Sequence, residues 1–378
     1  MRILLIGDYP PDPRLGSTKV PVKLQEEFRA LGHDCDVLLA DAIGGPSNGY
    51  LRQAVAPLFA RRAAVRASLA NGRYDVVDAA SAEGLWIARG RRAGAFRHTA
   101  VVARSNGLEH LNYQRMLADH EAGLLYKPWS RRWFHPLVRL TQVAAAARAA
   151  DRLIVLNDGD REFARAHHWQ PADRINVVPH GVSSVFLDAP PAVDQGRGRG
   201  LLFCGTWTGV KGVTYLADAF SRVVESGSDA RLSVIGGGAP ASEILATFAP
   251  IARARVSIHD RLPEAAIMAA YREHDALVCP STYEGFGMVV IEAMSQRLPV
   301  IATPVGCARS LVQDGRTGRL VPARDVAALA AAMTDVLADA SWRARVADAA
   351  LARVRGMSWT ATARQTLDVY QRAMAEAA

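Results

Sequence analysis

The sequence predicts an α/β fold in which two domains each contain a parallel β-sheet. Short apolar runs alternate with helical stretches along the whole chain, which is the pattern of successive β-α-β units. Between residues 188 and 200, proline, glycine and charged residues replace the apolar periodicity, as is typical of a linker. We therefore predict a first domain over residues 1–187, a second over residues 200–358, and an amphipathic helical tail over residues 359–378.

The first half begins with the apolar strand Arg2–Ile6. A loop rich in Pro and Gly connects this strand to an amphipathic helix over residues 20–31, which Gly32 is expected to end. Further strands are predicted at residues 36–39, 76–77, 100–103, 152–156 and 175–178. Residues 124–150 are predicted to be mostly helical.

The second half repeats the alternation. Strands are predicted at residues 201–204, 231–235, 256–258, 276–279 and 300–302, and late helices at 326–337 and 342–355. The run Ala-Leu-Val-Cys at 276–279 has no polar residue, which predicts a buried strand of a parallel sheet.

Length and composition limit the class of protein. With 378 residues, half of them hydrophobic, the chain can bury two cores. No apolar run reaches the roughly 18 residues of a membrane span, and the N-terminal run is too short for a signal peptide and lacks a cleavage site. The four cysteines, Cys35, Cys204, Cys279 and Cys307, are isolated, which favours reduced, buried thiols and predicts no metal cluster. We expect a cytoplasmic protein.

The formal net charge of +8 lies mostly in the first half. Residues 1–190 contain 25 Lys and Arg against 19 Asp and Glu, and residues 52–148 contain 16 against 6. Residues 127–134 (KPWSRRWF) mix bases with large aromatics, which suits peripheral binding to an anionic membrane surface. An arginine-rich composition with side chains that cover a core helix explains the same pattern equally well. Nucleic acid fits poorly, because no nucleic-acid-binding motif accompanies the charge.

A strand–turn–helix segment over residues 276–294 is the most informative feature. Gly285 and Gly287 allow the chain to bend, so that backbone N–H groups at the next helix N-terminus can face a phosphate. Glu284 lies at the edge of this turn. Glu292 interrupts an apolar run, where an unpaired carboxylate would be costly. The alternative is that Glu284 is a solvated loop residue and Glu292 an exposed helix residue.

With these two glutamates, the chain resembles the family 4 glycosyltransferases, retaining enzymes of the GT-B fold whose signature is two glutamates separated by seven residues. Residues 296–306 (QRLPVIATPVG) look like the family's next strand and loop, and residues 314–322 (DGRTGRLVP) like its turn before the last strand. The resemblance implies two Rossmann-like domains that face each other across a cleft, with the last helix crossing back to the first domain. It covers the last 180 residues by motif and the first half by architecture.

The resemblance also implies the donor-binding residues. Glu284 and the following backbone would face the donor sugar and phosphate, and Glu292 would hold the ribose. The expected set in this turn is Glu284, Gly285, Phe286, Gly287, Met288, Val289 and Glu292.

A second loop, residues 203–212 (FCGTWTGVKG), follows a strand and combines glycines with one base, so that Lys211 can hold a diphosphate. It is not a Walker A loop, since residue 210 is Val. The family usually has an arginine where this chain has Thr206, which leaves more of the phosphate charge to Lys211. The alternative for Lys211 is a solvated residue that caps a helix.

Residues 236–241 (GGGAPA) formally match a dinucleotide-binding pattern, which keeps a nicotinamide-dependent oxidoreductase as a further hypothesis. The pattern normally follows the first strand of its domain, whereas here it follows the second. Arg261, in the loop after strand 256–258, is expected near the base of the donor.

In the first half, Gly16 occupies the place where the family's glycine-rich loop approaches the donor phosphate, although Ser17 or Thr18 is equally plausible as a helix N-cap. Asn106 stands where the family has a histidine that faces the reacting sugar. An amide can hold a sugar hydroxyl but cannot titrate, so acid–base work would pass to His110 or not be needed. The alternative for His110 is a helix-surface residue.

The predicted function is a retaining glycosyltransferase that transfers a hexose from a nucleoside-diphosphate sugar to a glycan, lipid-linked or small-molecule acceptor. Catalysis is expected to involve Glu284, Lys211 and Asn106, with no metal and no other cofactor. The sequence 158–160 (DGD) is interpreted as a helix N-cap and not as a metal site. Thr206 and Asn106 motivate the alternative of a degenerate homologue that binds a sugar nucleotide or glycan without transfer.

Overall fold

The computed structural model describes residues 1–12, 15–47, 49–90, 94–123, 129–188 and 200–377. The chain folds into two compact units, of which the first comprises Met1–His180 with Trp359–Ala378 and the second comprises Gly181–Ser358. Each unit contains a six-stranded parallel sheet. Most of the predicted linker, residues 189–199, lies outside the described residues.

The strands of the first unit follow the order β2-β1-β3-β4-β5-β6, and every neighbouring pair is parallel. Strands β3 and β4 are buried along their whole length, as expected where helices cover both faces of a parallel sheet. The six strands are β1 (Arg2–Ile6), β2 (Asp34–Leu38), β3 (Val76–Ala80), β4 (Ala100–Arg104), β5 (Arg152–Val155) and β6 (Ile175–Val177).

The helices before the second unit are α1 (Gly16–Ala30), α2 (Ala40–Ile43), α3 (Gly49–Asn71), α4 (Leu85–Gly90), α5 (Glu109–Glu121), α6 (Trp129–Phe134), α7 (Thr141–Ala149) and α8 (Asp158–Ala166). A π-helical segment, His135–Leu140, joins α6 to α7, and short 3₁₀ turns occur at Gly94–Phe96 and Ala172–Arg174. The sequence did not predict α3, because its buried positions are mostly alanines and form no clear apolar stripe.

The second unit has the strand order β12-β11-β10-β7-β8-β9, again entirely parallel. Read from β9, this is the classical Rossmann order, in which the chain changes direction between β7 and β10. Its strands are β7 (Leu201–Cys204), β8 (Leu232–Ile235), β9 (Val256–His259), β10 (Ala276–Cys279), β11 (Val300–Ala302) and β12 (Arg319–Leu320). In both units, each predicted strand begins within two residues of its observed start.

The helices of the second unit are α9 (Ser184–Leu187), α10 (Val213–Glu225), α11 (Ala241–Ala246), α12 (Pro250–Arg253), α13 (Glu264–Glu273), α14 (Met288–Ser295), α15 (Ala308–Leu311), α16 (Val326–Ala338) and α17 (Ala340–Val354). A 3₁₀ turn, Gly209–Lys211, precedes α10.

The final helix, α18 (Trp359–Ala377), belongs to the first unit although it follows the second in sequence. It packs against α1 and β4 and buries Trp359 and Tyr370. The Tyr370 hydroxyl donates a hydrogen bond of 2.6 Å to Asp78 on β3. A helix that the sequence places last therefore completes the core of the first sheet.

The boundary between the units lies at His180 and not at residue 187 as predicted. The backbone N–H of Val182 donates to the carbonyl of Met357 (2.8 Å), and the Gln296 amide donates to the carbonyl of Phe186 (2.6 Å). These bonds attach residues 181–187 to the second unit. The partners are distant in sequence, so the composition of the segment does not indicate them.

All four cysteines are free thiols, and Cys35, Cys279 and Cys307 are buried as predicted. Among the helices of the described ranges, none combines the length and the apolar character that a membrane span requires.

Candidate functional site

The strand order of the second unit brings two loops together at one edge of its sheet. Strands β7 and β10 are neighbours, and the chain leaves them in opposite directions along the sheet. Such a switch point opens a crevice at the carboxyl ends of the strands, where α/β proteins bind ligands. The loop after β7 carries Thr206 and Lys211, and the loop after β10 carries Glu284 to Gly287.

Lys211 and Glu284 meet in this crevice. The ammonium group of Lys211 lies 2.7 Å and 2.8 Å from the two carboxylate oxygens of Glu284, and the hydroxyl of Ser281 donates to the same carboxylate at 2.7 Å. The Glu284 side chain is only 8% exposed and that of Lys211 is 29% exposed. Burial acts against the charge of Lys211, but the carboxylate of Glu284 outweighs it and raises the pKa of Lys211. Neither residue is the solvated surface side chain of the alternative interpretation.

The two loops are fixed by a close backbone approach at Gly212. This residue has φ +69°, and a Cβ at its position would lie 2.0 Å from the carbonyl oxygen of Pro280. Two residues earlier, within the 3₁₀ turn, the carbonyl of Val210 accepts a hydrogen bond of 2.9 Å from the N–H of Thr282. Only glycine fits between the loops at residue 212, which sets the position of the Lys211 side chain opposite Glu284.

Helix α14 begins at the same place. Its N-cap is Gly287, at φ +92°, and no side chain caps this helix. The first N–H groups of a helix have no partner within the helix, so those of Met288 and Val289 suit an anion. Phe286 is buried, and its carbonyl accepts a hydrogen bond of 2.6 Å from the N–H of Cys307, which holds the turn in place.

Glu292 lies on the second turn of α14, as predicted, and is 7% exposed. The Tyr271 hydroxyl donates to its carboxylate at 3.2 Å. Burial, together with the charge of nearby Glu292, raises the pKa of both Tyr271 and Cys204 well above their ordinary values. The sequence did not indicate Tyr271 as a partner, because it lies on α13 and reaches Glu292 only through packing.

Thr206 and Arg261 lie on either side of the glycine-rich loop after β8. A Cβ on Gly238 would lie 3.6 Å from the methyl group of Thr206 and 3.9 Å from a guanidinium nitrogen of Arg261. The N–H of Trp207 donates to the carbonyl of Gly237 at 2.7 Å and joins the loops after β7 and β8. Arg261 is therefore a cation close to the position where the family has an arginine and this chain has Thr206.

In the first unit, Asn106 follows β4 at the carboxyl edge of the sheet. Its amide nitrogen donates to the Tyr9 hydroxyl at 3.0 Å. Its amide oxygen is buried and has no hydrogen-bond partner among the described residues. Asn106, Tyr9 and Ser17 line a cavity of about 210 Å³ at this edge. Gly16 is the first residue of α1 and therefore adjoins the cavity through Ser17.

The helix-cap interpretations of the first half need correction. The N-cap of α1 is Leu15, which provides no side-chain hydrogen bond, and the hydroxyl of Thr18 donates to the carbonyl of Pro10 instead. Helix α8 does begin at the sequence DGD, but its cap is Asn157, whose side chain accepts from the N–H of Asp160. Helix α1 also starts at Gly16, four residues before the predicted start at residue 20. The tertiary contact of the Thr18 hydroxyl with Pro10 takes the place of a cap at this helix.

His110 is not an exposed helix residue. Its ring packs against Phe163 and Trp169, with centroids 5.9 Å and 4.7 Å away. Burial lowers the pKa of His110 to about 4, so the imidazole is neutral at physiological pH. In this state it cannot supply a proton as a general acid.

A charged cluster beside the cavity was not predicted. The Arg139 guanidinium donates to Glu83 (2.9 Å), Glu109 (3.2 Å) and Ser81 (3.0 Å), and Ser81 also donates to Glu109. Ser81 has φ +54°, an uncommon conformation for a residue other than glycine. The members lie in the turn after β3, on α5 and on the π-helical segment, and their spacing in the sequence gives no sign that they meet.

No group of three or more His, Cys, Asp or Glu in the described ranges is arranged to hold a metal ion.

Comparison with known proteins identifies the family. Residues 16–185 match the family described as Glycosyltransferase Family 4, and residues 198–339 match the one described as Glycosyl transferases group 1. The D-inositol 3-phosphate glycosyltransferase of Frankia alni is 32% identical over 302 residues, which cover 74% of this chain and 72% of that protein.

Solved structures show the same fold. Sucrose-phosphate synthase from Thermosynechococcus elongatus matches with a TM-score of 0.78 at 21% identity and covers 99% of both chains. Anabaena HepE, determined in complex with UDP, matches with a TM-score of 0.70 at 17% identity and covers 98% of this chain and 100% of its own. The predicted GT-B fold is confirmed. By family match and by its Frankia alni relative, the chain belongs to glycosyltransferase family 4 and is a glycosyltransferase.

Proposed function

We propose that the protein is a retaining glycosyltransferase that transfers a hexose from a nucleoside-diphosphate sugar to a glycan, lipid-linked or small-molecule acceptor, without a metal or another cofactor. The contact between Lys211 and Glu284 supports this proposal most directly. It places one cation and one carboxylate, 2.7 Å apart, at the switch point of a Rossmann-type sheet.

In this proposal, Lys211 stabilises the leaving diphosphate. When the bond between the anomeric carbon and the phosphate oxygen breaks, negative charge develops on that oxygen, and an oxocarbenium-like sugar remains. Lys211 and the N-terminus of α14 provide fixed positive charge where the negative charge develops. The donor phosphate would compete with Glu284 for the ammonium group, which frees the carboxylate to bind sugar hydroxyls.

Retention follows if the departing phosphate oxygen accepts the proton of the acceptor hydroxyl on the face that it leaves. The acceptor oxygen then bonds to the anomeric carbon from that same face, and no enzyme nucleophile is needed. Family membership supports this mechanism, and its direct test is the anomeric configuration of the product by NMR.

Glu292 is proposed to bind the ribose, with Tyr271 holding its carboxylate in place through the 3.2 Å hydrogen bond. UDP-sugars are the first donors to test, because the similar HepE structure contains UDP. The name of the Frankia alni relative makes phosphorylated cyclitols one class of acceptor to test.

The test is a thermal-shift panel of UDP-, GDP-, ADP- and TDP-hexoses, first with EDTA and then with Mg²⁺. We expect one nucleotide to raise the melting temperature of the wild type in EDTA. Glu292→Ala should lose this shift, whereas Glu284→Ala should keep it and abolish transfer, because Lys211 stays available to phosphate. Equal loss of nucleotide binding in both variants would contradict these roles, and a shift that requires Mg²⁺ would contradict metal independence.

We also propose that the first unit binds an anionic membrane surface. Tyr50 at the start of α3 packs against Phe134 of α6, with ring centroids 5.3 Å apart. Beside them, Leu51, Trp133 and Leu137 are 53%, 55% and 67% exposed. Such exposed apolar side chains on adjoining elements suit insertion between lipid headgroups. Of the predicted basic segment 127–134, residues 127 and 128 lie outside the described residues, as do the side chains of 129–131.

Sedimentation with phosphatidylcholine vesicles, with and without phosphatidylglycerol, tests this surface. We expect binding only to the anionic vesicles and its loss in the double variant Trp133→Ser, Leu137→Ser. Leu69→Ser, which removes a 79% exposed leucine at the other end of α3, is the matched control. If the double variant and the control variant bind the anionic vesicles equally well, the exposed apolar surface has no role in membrane binding.

A further inference from the structure

The cavity of about 210 Å³ in the first unit is lined by both apolar and polar side chains. Val143, Leu153 and Trp169 are among the apolar lining residues, and Tyr9, Asn106 and Glu109 are among the polar ones. It lies at the carboxyl ends of β3 and β4, beside the point where the strand order reverses between β1 and β3. A sugar or cyclitol ring has the matching surfaces, since its C–H face is apolar and its edge carries hydroxyls.

Some polar side chains that line the cavity have atoms without a hydrogen-bond partner in the described chain. The buried amide oxygen of Asn106 has no partner among the described residues, although buried polar atoms rarely lack one. The Nη1 atom of Arg104 is also buried without a partner in the described chain. One is an acceptor and the other a donor, which is the combination that hydroxyl groups satisfy.

Three guanidinium groups near the cavity are each paired with a carboxylate. Arg104 makes bonds of 2.9 Å and 2.6 Å to Asp78, which also accepts from Tyr370. Arg139 is shared between Glu83, at 2.9 Å, and Glu109, at 3.2 Å. The Arg52 side chain is paired with Asp8.

The remaining charge is negative. Four carboxylates and three guanidinium groups form these pairs, so these seven side chains carry one net negative charge when all are ionised. They are Asp8, Asp78, Glu83 and Glu109 against Arg52, Arg104 and Arg139. Burial raises the pKa of one of the carboxyls, Glu83. Glu109, which lines the cavity, stays ionised: burial opposes its charge, but Arg139 and the Ser81 hydroxyl outweigh this effect and lower its pKa. A phosphate in the cavity would face this carboxylate, while the guanidinium groups of Arg52, Arg104 and Arg139 already pair with carboxylates.

We propose that this cavity is the acceptor subsite and that it selects an uncharged polyhydroxyl ring over the same ring carrying a phosphate. In it, Asn106 and Glu109 accept hydrogen bonds from ring hydroxyls, and Trp169 packs against the apolar face. The proposal rests on the proposed function, because it names the acceptor class of that transferase. It separates this protein from relatives whose names specify a phosphorylated acceptor.

The experiment compares two matched pairs of probes, myo-inositol with D-inositol 3-phosphate and glucose with glucose 6-phosphate. Binding is measured by saturation-transfer NMR, with and without the nucleotide found in the thermal-shift panel. All probes are measured at pH 8, so that their phosphate groups are fully ionised. We expect at least one uncharged member to bind about tenfold or more tightly than its phosphorylated counterpart. Equal or tighter binding of the phosphorylated members, or no binding of either uncharged ring, would overturn the proposal.

Two variants assign the selectivity to residues. Glu109→Gln should improve binding of the phosphorylated probes several-fold and narrow the gap within each pair. Glu121→Gln, at the exposed last position of the same helix, should leave the gap unchanged. If Glu109→Gln fails to fold, Asn106→Ala provides the test, since it should weaken the uncharged probes. A gap that neither variant changes would remove these residues from the proposal.

The donor measurement separates the two proposals. A wild-type protein with no nucleotide-dependent shift would contradict the proposed function. A protein that shows this shift in the wild type and in Glu109→Gln, but binds no uncharged ring, would contradict only the acceptor proposal.

Discussion

At the scale of single residues, the ammonium group of Lys211 and the carboxylate of Glu284 form an ion pair. Their separate motifs marked each as a site residue, but the bidentate contact of 2.7 Å and 2.8 Å depends on two loops that lie 73 residues apart in the chain. The carboxylate holds the ammonium group in the crevice. A bound donor phosphate would replace this contact, so Lys211 is expected to stay available to phosphate in Glu284→Ala.

The absence of an arginine at residue 206 gives a direct prediction. Thr206→Arg should tighten binding of the nucleotide donor by roughly tenfold, because an arginine adds a charge-assisted bond to phosphate that threonine cannot supply. Calorimetric titration with the donor nucleotide measures the change. Thr206→Gln adds length without charge and should leave the affinity near that of the wild type. Weaker binding by the arginine variant would indicate that Arg261 already fills this role and repels a second cation.

The buried side chain of His180 leads us to expect that the first unit loses stability at acidic pH. It is 3% exposed and stacks near Trp359, at 5.5 Å. Burial, assisted by the charge of Arg104, lowers its pKa to about 3, below the ordinary value of 6.5. Below pH 6.5 the unfolded chain therefore binds a proton that the folded chain does not, and stability falls as the pH decreases towards 3. The loss between pH 7 and pH 4 should be about 3 kcal/mol.

His180→Phe should flatten this dependence, measured as the melting temperature between pH 7 and pH 4. His98→Asn is the control, because His98 is exposed and asparagine tolerates its positive φ of 64°. Identical pH slopes for His180→Phe and the wild type would show that other groups cause the acid sensitivity.

At the scale of elements, the 3₁₀ turn Gly209–Lys211 positions the cation of the proposed donor site, and the close approach of Gly212 to the carbonyl of Pro280 fixes this turn. Gly212→Ala should destabilise the protein by roughly 2 kcal/mol or more and weaken nucleotide binding. The new methyl group would meet the Pro280 carbonyl at a φ that side chains avoid. Melting temperature and nucleotide titration measure the two effects.

Gly209→Ala is the matched control, since a Cβ there meets nothing within 4 Å. It should change stability by no more than about 1 kcal/mol. If both alanines have the same small effect, the close approach at Gly212 does not position Lys211.

At the scale of the whole molecule, the first unit needs a helix from the other end of the chain. Helix α18 buries eight of its residues, and Tyr370 bonds to the same Asp78 that neutralises Arg104. A chain that ends at Ser358 should therefore lose hydrogen-exchange protection in β3 and β4, while the second unit keeps the protection of β7 and β10. Equal loss in both units would contradict this division, and protection retained throughout would show that α18 contributes little.

The sequence by itself indicated the strands, the two parallel sheets and the turn that carries the proposed donor site. Short apolar runs bounded by turn residues, such as Ala276–Cys279, predict buried strands, and the glycines at 285 and 287 mark the turn that follows, since both properties are local. Family resemblance added Glu284 and Glu292 as a pair. Helix α3 escaped prediction because alanines bury little surface and give a weak periodic pattern.

Only the tertiary structure decided which groups meet. The partners of Glu284 and Glu292, the domain boundary at His180, and the cluster of Arg139 with Glu83 and Glu109 all join segments that are distant in the chain. Local propensity carries no information about such contacts. They arise when strand order brings loops to one edge of a sheet, where each buried charge or polar atom must find a partner.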